Sequence, residues 1–105
     1  NEFSVGQFGT DYTALGTSAD RILNIGNGTN TGNKSDALTI LKNGNSTFGG
    51  TVATKGYTVT TLPTGSQGDR AFVTDATTPT YLGTLVGGGS VVAPVFHNGT
   101  NWVSN

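Results

Sequence analysis

An all-β fold is predicted by three features of the sequence. Apolar residues fall in short runs rich in Val, Ile, Thr, Tyr and Phe, the types that suit a pleated, half-buried surface. Gly, Asn, Thr and Ser punctuate the intervals between those runs, with 17 glycines among 105 residues, as expected of strands separated by turns. No window carries apolar residues at i, i+3, i+4 and i+7 between suitable caps, so helix signals are scarce.

The first expected strand is FSVGQF (3–8) and the second RILNIG (21–26). SDALTILKNG (35–44) comes closest to a helical pattern, but Thr39 and Ile40 are β-branched and Asn43-Gly44 follows at once. It reads as a strand running into a turn. Further strands are expected at TFGGTVAT (47–54), YTVTTL (57–62), RAFVTD (70–75), TYLGTLV (80–86) and VVAPVFH (91–97).

A short repeat lies in the first half. ADRILNIGNGTNT (19–31) aligns without gaps to SDALTILKNGNST (35–47), sixteen residues on. The alignment pairs Asp20 with Asp36, Ile22 with Leu38, Ile25 with Leu41, and Asn27-Gly28 with Asn43-Gly44. A strand-plus-turn unit cannot bury its apolar side alone, so such units are expected to stack or to wind around partner chains. All three prolines lie beyond Lys55-Gly56, and apolar residues become denser there. Residues 1–55 are therefore expected to form an extended, shaft-like segment and 56–105 a compact β-rich module.

The chain closes on PVFHNGTNWVSN (94–105), which holds the one histidine and the one tryptophan. Asn98-Gly99 between β-forming residues predicts a two-residue type I′ hairpin, whose two central positions both need φ > 0. Such a turn sets His97 opposite Thr100, Phe96 opposite Asn101 and Val95 opposite Trp102. Val95, His97, Thr100 and Trp102 then share one face. Trp102, Val95, Phe72 and Phe96 are expected to pack inward, and Tyr57, Tyr81 and His97 are the candidates for contact with an outside surface. In a threefold trimer, one His97 per chain near the axis would supply three imidazoles, enough for a metal.

Composition narrows the function classes. Ala, Val, Ile, Leu, Met, Phe, Trp, Tyr and Cys together make up 33% of the chain, too little for a generous single-chain core. Self-association follows as the economical reading. Five Lys and Arg, none adjacent, and a net charge of -1 argue against nucleic acid, which needs clustered cations. No apolar run approaches the roughly 20 residues of a bilayer crossing, and no signal peptide is visible. Cysteine is absent, which removes disulfides and thiolate chemistry. Methionine is absent too, position 1 included, so a fragment or processed product is expected.

The six carboxylates, Glu2, Asp11, Asp20, Asp36, Asp69 and Asp75, form no acid/base or ligand pattern. GGGS (87–90) precedes neither a Lys nor a helix, so it is a loop and not a phosphate cradle. No catalytic residue, cofactor or resident metal is expected.

The ordered set Tyr57-Thr58-Val59, Leu62-Pro63, GDRAFVTDA (68–76), GGGS (87–90), Pro94-Val95 and NGTNW (98–102) resembles the C-terminal segment of phage and prophage tail-fibre and related virion fibre or spike proteins. SDALTILKNGNSTFGGTV (35–52) is similar to the strand-rich segments leading into the ends of such fibres. Together these cover residues 35–102, about two thirds of the chain. The resemblance implies an elongated, entwined homotrimer in the virion, exposed to the extracellular medium and ending in a small β-hairpin-rich tip. It implies a structural role with a contribution to host attachment. The alternative is a dedicated receptor-binding domain for a host glycan or surface protein. Neither nucleic acid nor membrane insertion is implied.

Overall fold

The computed structural model describes residues 2–105. It is all-β, with eight strands, one 3-10 turn and no α-helix among the described residues. Two compact units divide the chain, one ending at Val52 and the other running from Ala53 to Asn105.

The first unit is a sheet of β1 (Phe3–Gln7), β2 (Arg21–Asn27), β3 (Asp36–Leu41) and β4 (Ser46–Phe48), in that spatial order. β1 and β2 run parallel, and the remaining pairs are antiparallel. Parallel neighbours need a crossover of about a dozen residues, and residues 8–20 supply it. Strand register sorts the side chains into rows. Phe3, Leu23, Ile40 and Ser46 form one row, and Val5, Ile25, Leu38 and Phe48 a second on the same face. Between them, on the opposite face because side chains alternate, runs a wholly polar row of Ser4, Asn24, Thr39 and Thr47.

Two bulges enlarge the polar face. Ile22 is an extra residue in β2 and Ala37 an extra residue in β3, and each resets the alternation beyond it. Arg21 and Asp36 thereby join Asn24 and Thr39. Asn24 Nδ2 donates to Asp36 Oδ1 at 2.8 Å and Thr39 Oγ1 donates to Asn24 Oδ1 at 2.7 Å. Arg21 lies 3.3 Å from Asp36 Oδ2 through its Nη1. Its Nε is 2.8 Å from Glu2 Oε2, a charge contact without an aligned hydrogen bond.

The crossover lies on this polar face and is tied to it by its own backbone. The Thr10 amide donates to Asp36 Oδ1 at 2.9 Å, and Arg21 Nη2 donates to the Thr10 carbonyl at 3.2 Å. The amides of Leu15 and Thr17 donate to Asp20, each at 2.9 Å, and the Tyr12 hydroxyl donates to the same carboxylate. Arg21 caps the Tyr12 ring, 4.3 Å from its centroid, within cation–π range. These donors hold Asp20 well below the usual carboxylate range, the Leu15 amide first and the Tyr12 hydroxyl next. Burial pushes Asp36 up, but donors from Asn24 and Thr10, with the Arg21 charge, outweigh it and leave Asp36 lowered.

The second unit repeats the plan. β5 (Gly56–Tyr57), β6 (Arg70–Ala76), β7 (Val91–His97) and β8 (Trp102–Ser104) stand in sequence order. The first pair is again parallel and the others antiparallel. Here the crossover, residues 58–69 with a 3-10 turn at Val59–Thr61, lies on an apolar face. Val59 and Leu62 from it pack with Tyr57, Leu85 and Trp102 against buried Ala71, Val73, Ala76, Ala93 and Val95. Both crossovers end in the same turn. Asp20 donates its amide to the Thr17 carbonyl and accepts from the Thr17 amide, and Asp69 does the same with Ser66. The sequences are TSADR (17–21) and SQGDR (66–70). Four residues beyond each aspartate stands a fully buried side chain, Asn24 in one unit and Val73 in the other. Their strand partners are Thr39 and Ala93.

Three expected strands differ. TFGGTVAT (47–54) is a strand only to Phe48. In YTVTTL (57–62) the Thr58 amide donates to Thr61 Oγ1 and the Val59 amide to Asp75 Oδ1, so the chain curls into the 3-10 turn after Tyr57. TYLGTLV (80–86) forms no strand. Leu82 sits at φ +54, its amide donates to the Ser104 carbonyl, and the Ser104 amide donates to the Gly83 carbonyl. The segment thus wraps the outer edge of β8, which would otherwise present unpaired groups.

The sixteen-residue repeat does not stack either. Its copies are β2 and β3, paired antiparallel. Asn43-Gly44 lies in the β3–β4 turn, whereas Gly28 donates to the Gln7 carbonyl and the chain turns later, between Asn30 and Asn33. What the copies share is a carboxylate that gathers donors, Asp20 in one and Asp36 in the other.

Acid is expected to unfasten the first unit. An unfolded Asp titrates near 3.8, and both folded carboxyls titrate lower. Their stabilisation is therefore complete above that pH and is lost as pH falls through the folded values. Amide hydrogen exchange between pH 6 and pH 2 should show protection at Thr10, Leu15 and Thr17 collapsing in acid before that of β6 and β7. Asp20→Asn should weaken the Leu15 and Thr17 protection already at pH 6. Simultaneous loss across both units would rule this account out.

Candidate functional site

The closing hairpin positions the aromatic residues singled out from the sequence. Its turn is centred on Gly99-Thr100, one residue later than the Asn-Gly pattern predicts. Asn98 donates its amide to the Asn101 carbonyl at 3.0 Å, and its Oδ1 accepts from the amides of Thr100 and Asn101 at 2.9 and 2.8 Å. That side-chain acceptor makes Asn98 the residue before the turn and not part of its centre. Gly99 takes φ +99 and Thr100 does not follow it into positive φ, the pattern of a type II′ hairpin.

Moving a turn by one residue moves the pairing by two. His97 therefore faces Trp102, Phe96 faces Val103 and Val95 faces Ser104, replacing the expected Val95–Trp102 opposition. A two-residue shift preserves alternation, so Val95, His97 and Trp102 still share a face, while Ser104 takes the place expected for Thr100.

On that face His97 is buried, 6% exposed. Its ring meets Trp102 edge-on, with centroids 5.3 Å apart and planes at 86°. Nδ1 accepts from the Gly99 amide at 3.1 Å. The backbone of His97 donates to the Asp69 carbonyl and accepts from the Gly68 amide. Gly65 of the crossover closes over the ring so tightly that a Cβ there would lie 2.5 Å from His97 Cδ2. The ring is thus withdrawn from the surface, at odds with a receptor-contact role. Trp102 is half-buried beside it, and its Nε1 donates to the Pro63 carbonyl at 2.8 Å.

Val95 is 1% exposed. Phe72 and Phe96, both half-buried, lie on the sheet's other face, Phe96 beneath the Arg70 guanidinium at 5.7 Å. Tyr57 is half-buried with Lys55 Nζ 5.3 Å from its ring centroid. Tyr81 alone of the three expected contact residues stands free, 79% exposed.

Two concavities flank β8, each of about 390 Å³. One is lined by Val59, Leu62, Thr84, Leu85, Asn101 and Trp102. The other brings Tyr81 together with Pro79, Val92, Pro94, Ser104 and Asn105. Ser104 Oγ is buried there without a hydrogen-bond partner. Sequence reasoning missed Pro63, Gly65 and Ser104, whose roles come from contacts between distant segments. Among the described residues, no three His, Cys, Asp or Glu side chains converge as a metal site requires, and no helix is long and apolar enough to cross a membrane. The groups on offer are neutral: aromatic faces, hydroxyls and amides. Comparison with protein-family models, curated proteins and solved structures returned no match for this chain.

The Gly65 contact can be tested directly. Gly65→Ala should lower the unfolding free energy by about 1–3 kcal/mol, the usual cost of overpacking a filled interior. Gly50→Ala, at a position with open space around it, should stay within about 0.5 kcal/mol of the parent. Equal stability of both variants in urea titrations would refute the packing role given to His97.

Proposed function

We propose that this chain is the distal, trimerising part of a phage or virus fibre or spike. It acts as a structural component exposed to the extracellular medium and contributes to host attachment. One observation carries the reading most directly: a single chain buries very little apolar material. Among the described residues the buried hydrophobics are Ala71, Val73, Ala76, Ala93, Val95 and Val103, all alanine or valine and all in the second unit. Thirteen large hydrophobic residues stay exposed, among them Phe3, Leu15, Phe48, Tyr81 and Val92. Copies of the chain entwined along one axis would cover such residues and satisfy free strand edges. The ordered motifs of residues 56–102 support the same reading by resemblance. No catalytic residue, cofactor or nucleic acid belongs to this function, and its first partner is the chain itself.

A second reading, a dedicated receptor-binding domain, is favoured by Tyr81. It is the most exposed aromatic side chain of the second unit and sits at the rim of a concavity with two prolines. Aromatic residues on an exposed surface serve contact with glycans or proteins.

Light scattering after size exclusion tests the trimer. Three chains of 10.7 kDa should give about 32 kDa, and a stable 10.7 kDa particle at micromolar concentration would defeat the proposal. Tyr81→Ala separates the two readings. If the variant keeps the oligomer but no longer adsorbs to host cells, recognition resides in the second unit. Undiminished adsorption confines Tyr81 to structure.

A further inference from the structure

The first unit leaves one whole face of its sheet without a cover. Phe3 and Val5 from β1, Leu23 and Ile25 from β2, Leu38 and Ile40 from β3, and Phe48 from β4 stand in two adjacent rows. Phe3, Val5 and Phe48 are 64%, 42% and 54% exposed, and the four central residues are half-buried. The exposed apolar area is on the order of 400 Å², comparable to the largest apolar patch of a typical monomer, which is often a functional surface. No charged residue stands in either row.

The second unit shows how this plan is ordinarily completed. There the crossover brings Val59 and Leu62 down onto the apolar face. In the first unit the crossover lies instead on Asn24, Asp36 and Arg21, and none of that unit's buried residues, among those described, is hydrophobic. The apolar face is therefore the hydrophobic interior available to the unit, and whatever covers it has to be present whenever the unit is folded. Another copy of the same chain meets that condition without any further component. The patch is also suited to its own likeness, since it is uncharged and the whole chain carries only -1, which gives copies little mutual repulsion.

We propose that the face formed by Phe3, Val5, Leu23, Ile25, Leu38 and Phe48 is the self-association surface, covered by the same face of two further copies around a common axis. The number of copies rests on the trimeric fibre reading; the location of the surface comes from strand register and can fail independently.

The absence of native cysteine makes the test clean. Single-thiol variants Phe48→Cys and Ser46→Cys place a probe on the proposed face. Thr47→Cys places one between them on the opposite face. All three positions are exposed in a single chain. Ser46→Cys is nearly isosteric and guards against a folding defect in Phe48→Cys. Labelling by a maleimide is measured alongside the mass of each variant. The expected result is a particle of about three chains in which the thiols at positions 46 and 48 react at least ~10-fold more slowly than the thiol at position 47, and recover on unfolding. A trimer whose thiols at 46 and 48 react as fast as the one at 47 overturns the surface and leaves the fibre reading standing. A monomer with protected thiols means the chain covers its own face and overturns both. A monomer with reactive thiols removes self-association altogether.

Discussion

Both units depend on one constraint, the parallel pairing of their first two strands. An antiparallel neighbour can be reached through a tight turn, but a parallel one requires the chain to return across the sheet. The return path must lie on one face and bring its own polar backbone with it. Backbone donors on that path lie outside the strand ladders and still need partners, and in each crossover aspartates provide them. In the first unit Asp36 and Asp20 accept from the amides of Thr10, Leu15 and Thr17. In the second, Asp75 accepts from Val59 and Asp69 from Ser66. Each crossover is thus fastened by a pair of aspartates, which accounts for four of the six carboxylates that lie scattered in the sequence.

The units part company in what lies under the crossover. Asn24 and Thr39 occupy the places held by Val73 and Ala93. An interior of valine and alanine gains from leaving water, whereas an interior of Asn, Asp and Arg has to be fully hydrogen-bonded to hold its own. The Asp36 carboxylate meets that condition with donors from Asn24, Thr10 and Arg21, while Arg21 Nε keeps only its charge contact with Glu2, so the network fixes geometry without supplying much driving force. Burial of apolar surface is what drives folding, and in this unit the apolar surface is on the other side of the sheet.

Much of the strand layout is legible in the sequence. VVAPVFH coincides with β7, and RILNIG and RAFVTD each miss a strand end by one residue, because alternation and β-branched composition are local properties. The parallel pairs are not legible, since they join segments separated by a crossover and no local pattern announces them. TYLGTLV has the composition of a strand, yet its hydrogen bonds go to Ser104, a partner that local reading cannot supply. The closing turn falls one residue later than its letters suggest because the Asn98 side chain takes the amides of Thr100 and Asn101 and so leaves the centre to Gly99-Thr100. His97 reads as a surface residue beside a turn; Gly65, on a distant segment, buries it. One long-range signal is present in the letters, the recurrence of TSADR as SQGDR forty-nine positions on, from Asp20 to Asp69. It marks the duplicated crossover end, whereas the sixteen-residue match tracks two neighbouring strands.

A unit whose interior is polar and whose apolar face is bare has a definite thermodynamic character. Its fold is specified by hydrogen bonds and strand register, but the free energy to hold it is released mainly when that face is covered. Folding and covering then become one event, as in obligate oligomers whose separated subunits have no stable folded form. In the proposed fibre this coupling would have a mechanical advantage. A single strand of the proposed trimer could not peel away without exposing the shared apolar face, so its barrier to unfolding would rise with the whole assembly and persistence would become a matter of rate. The second unit, with its own small core under Val59 and Leu62, is less bound by that requirement. A receptor-contacting surface has to remain folded while part of it stays open to solvent, and Tyr81 at 79% exposure sits on the unit that can do so.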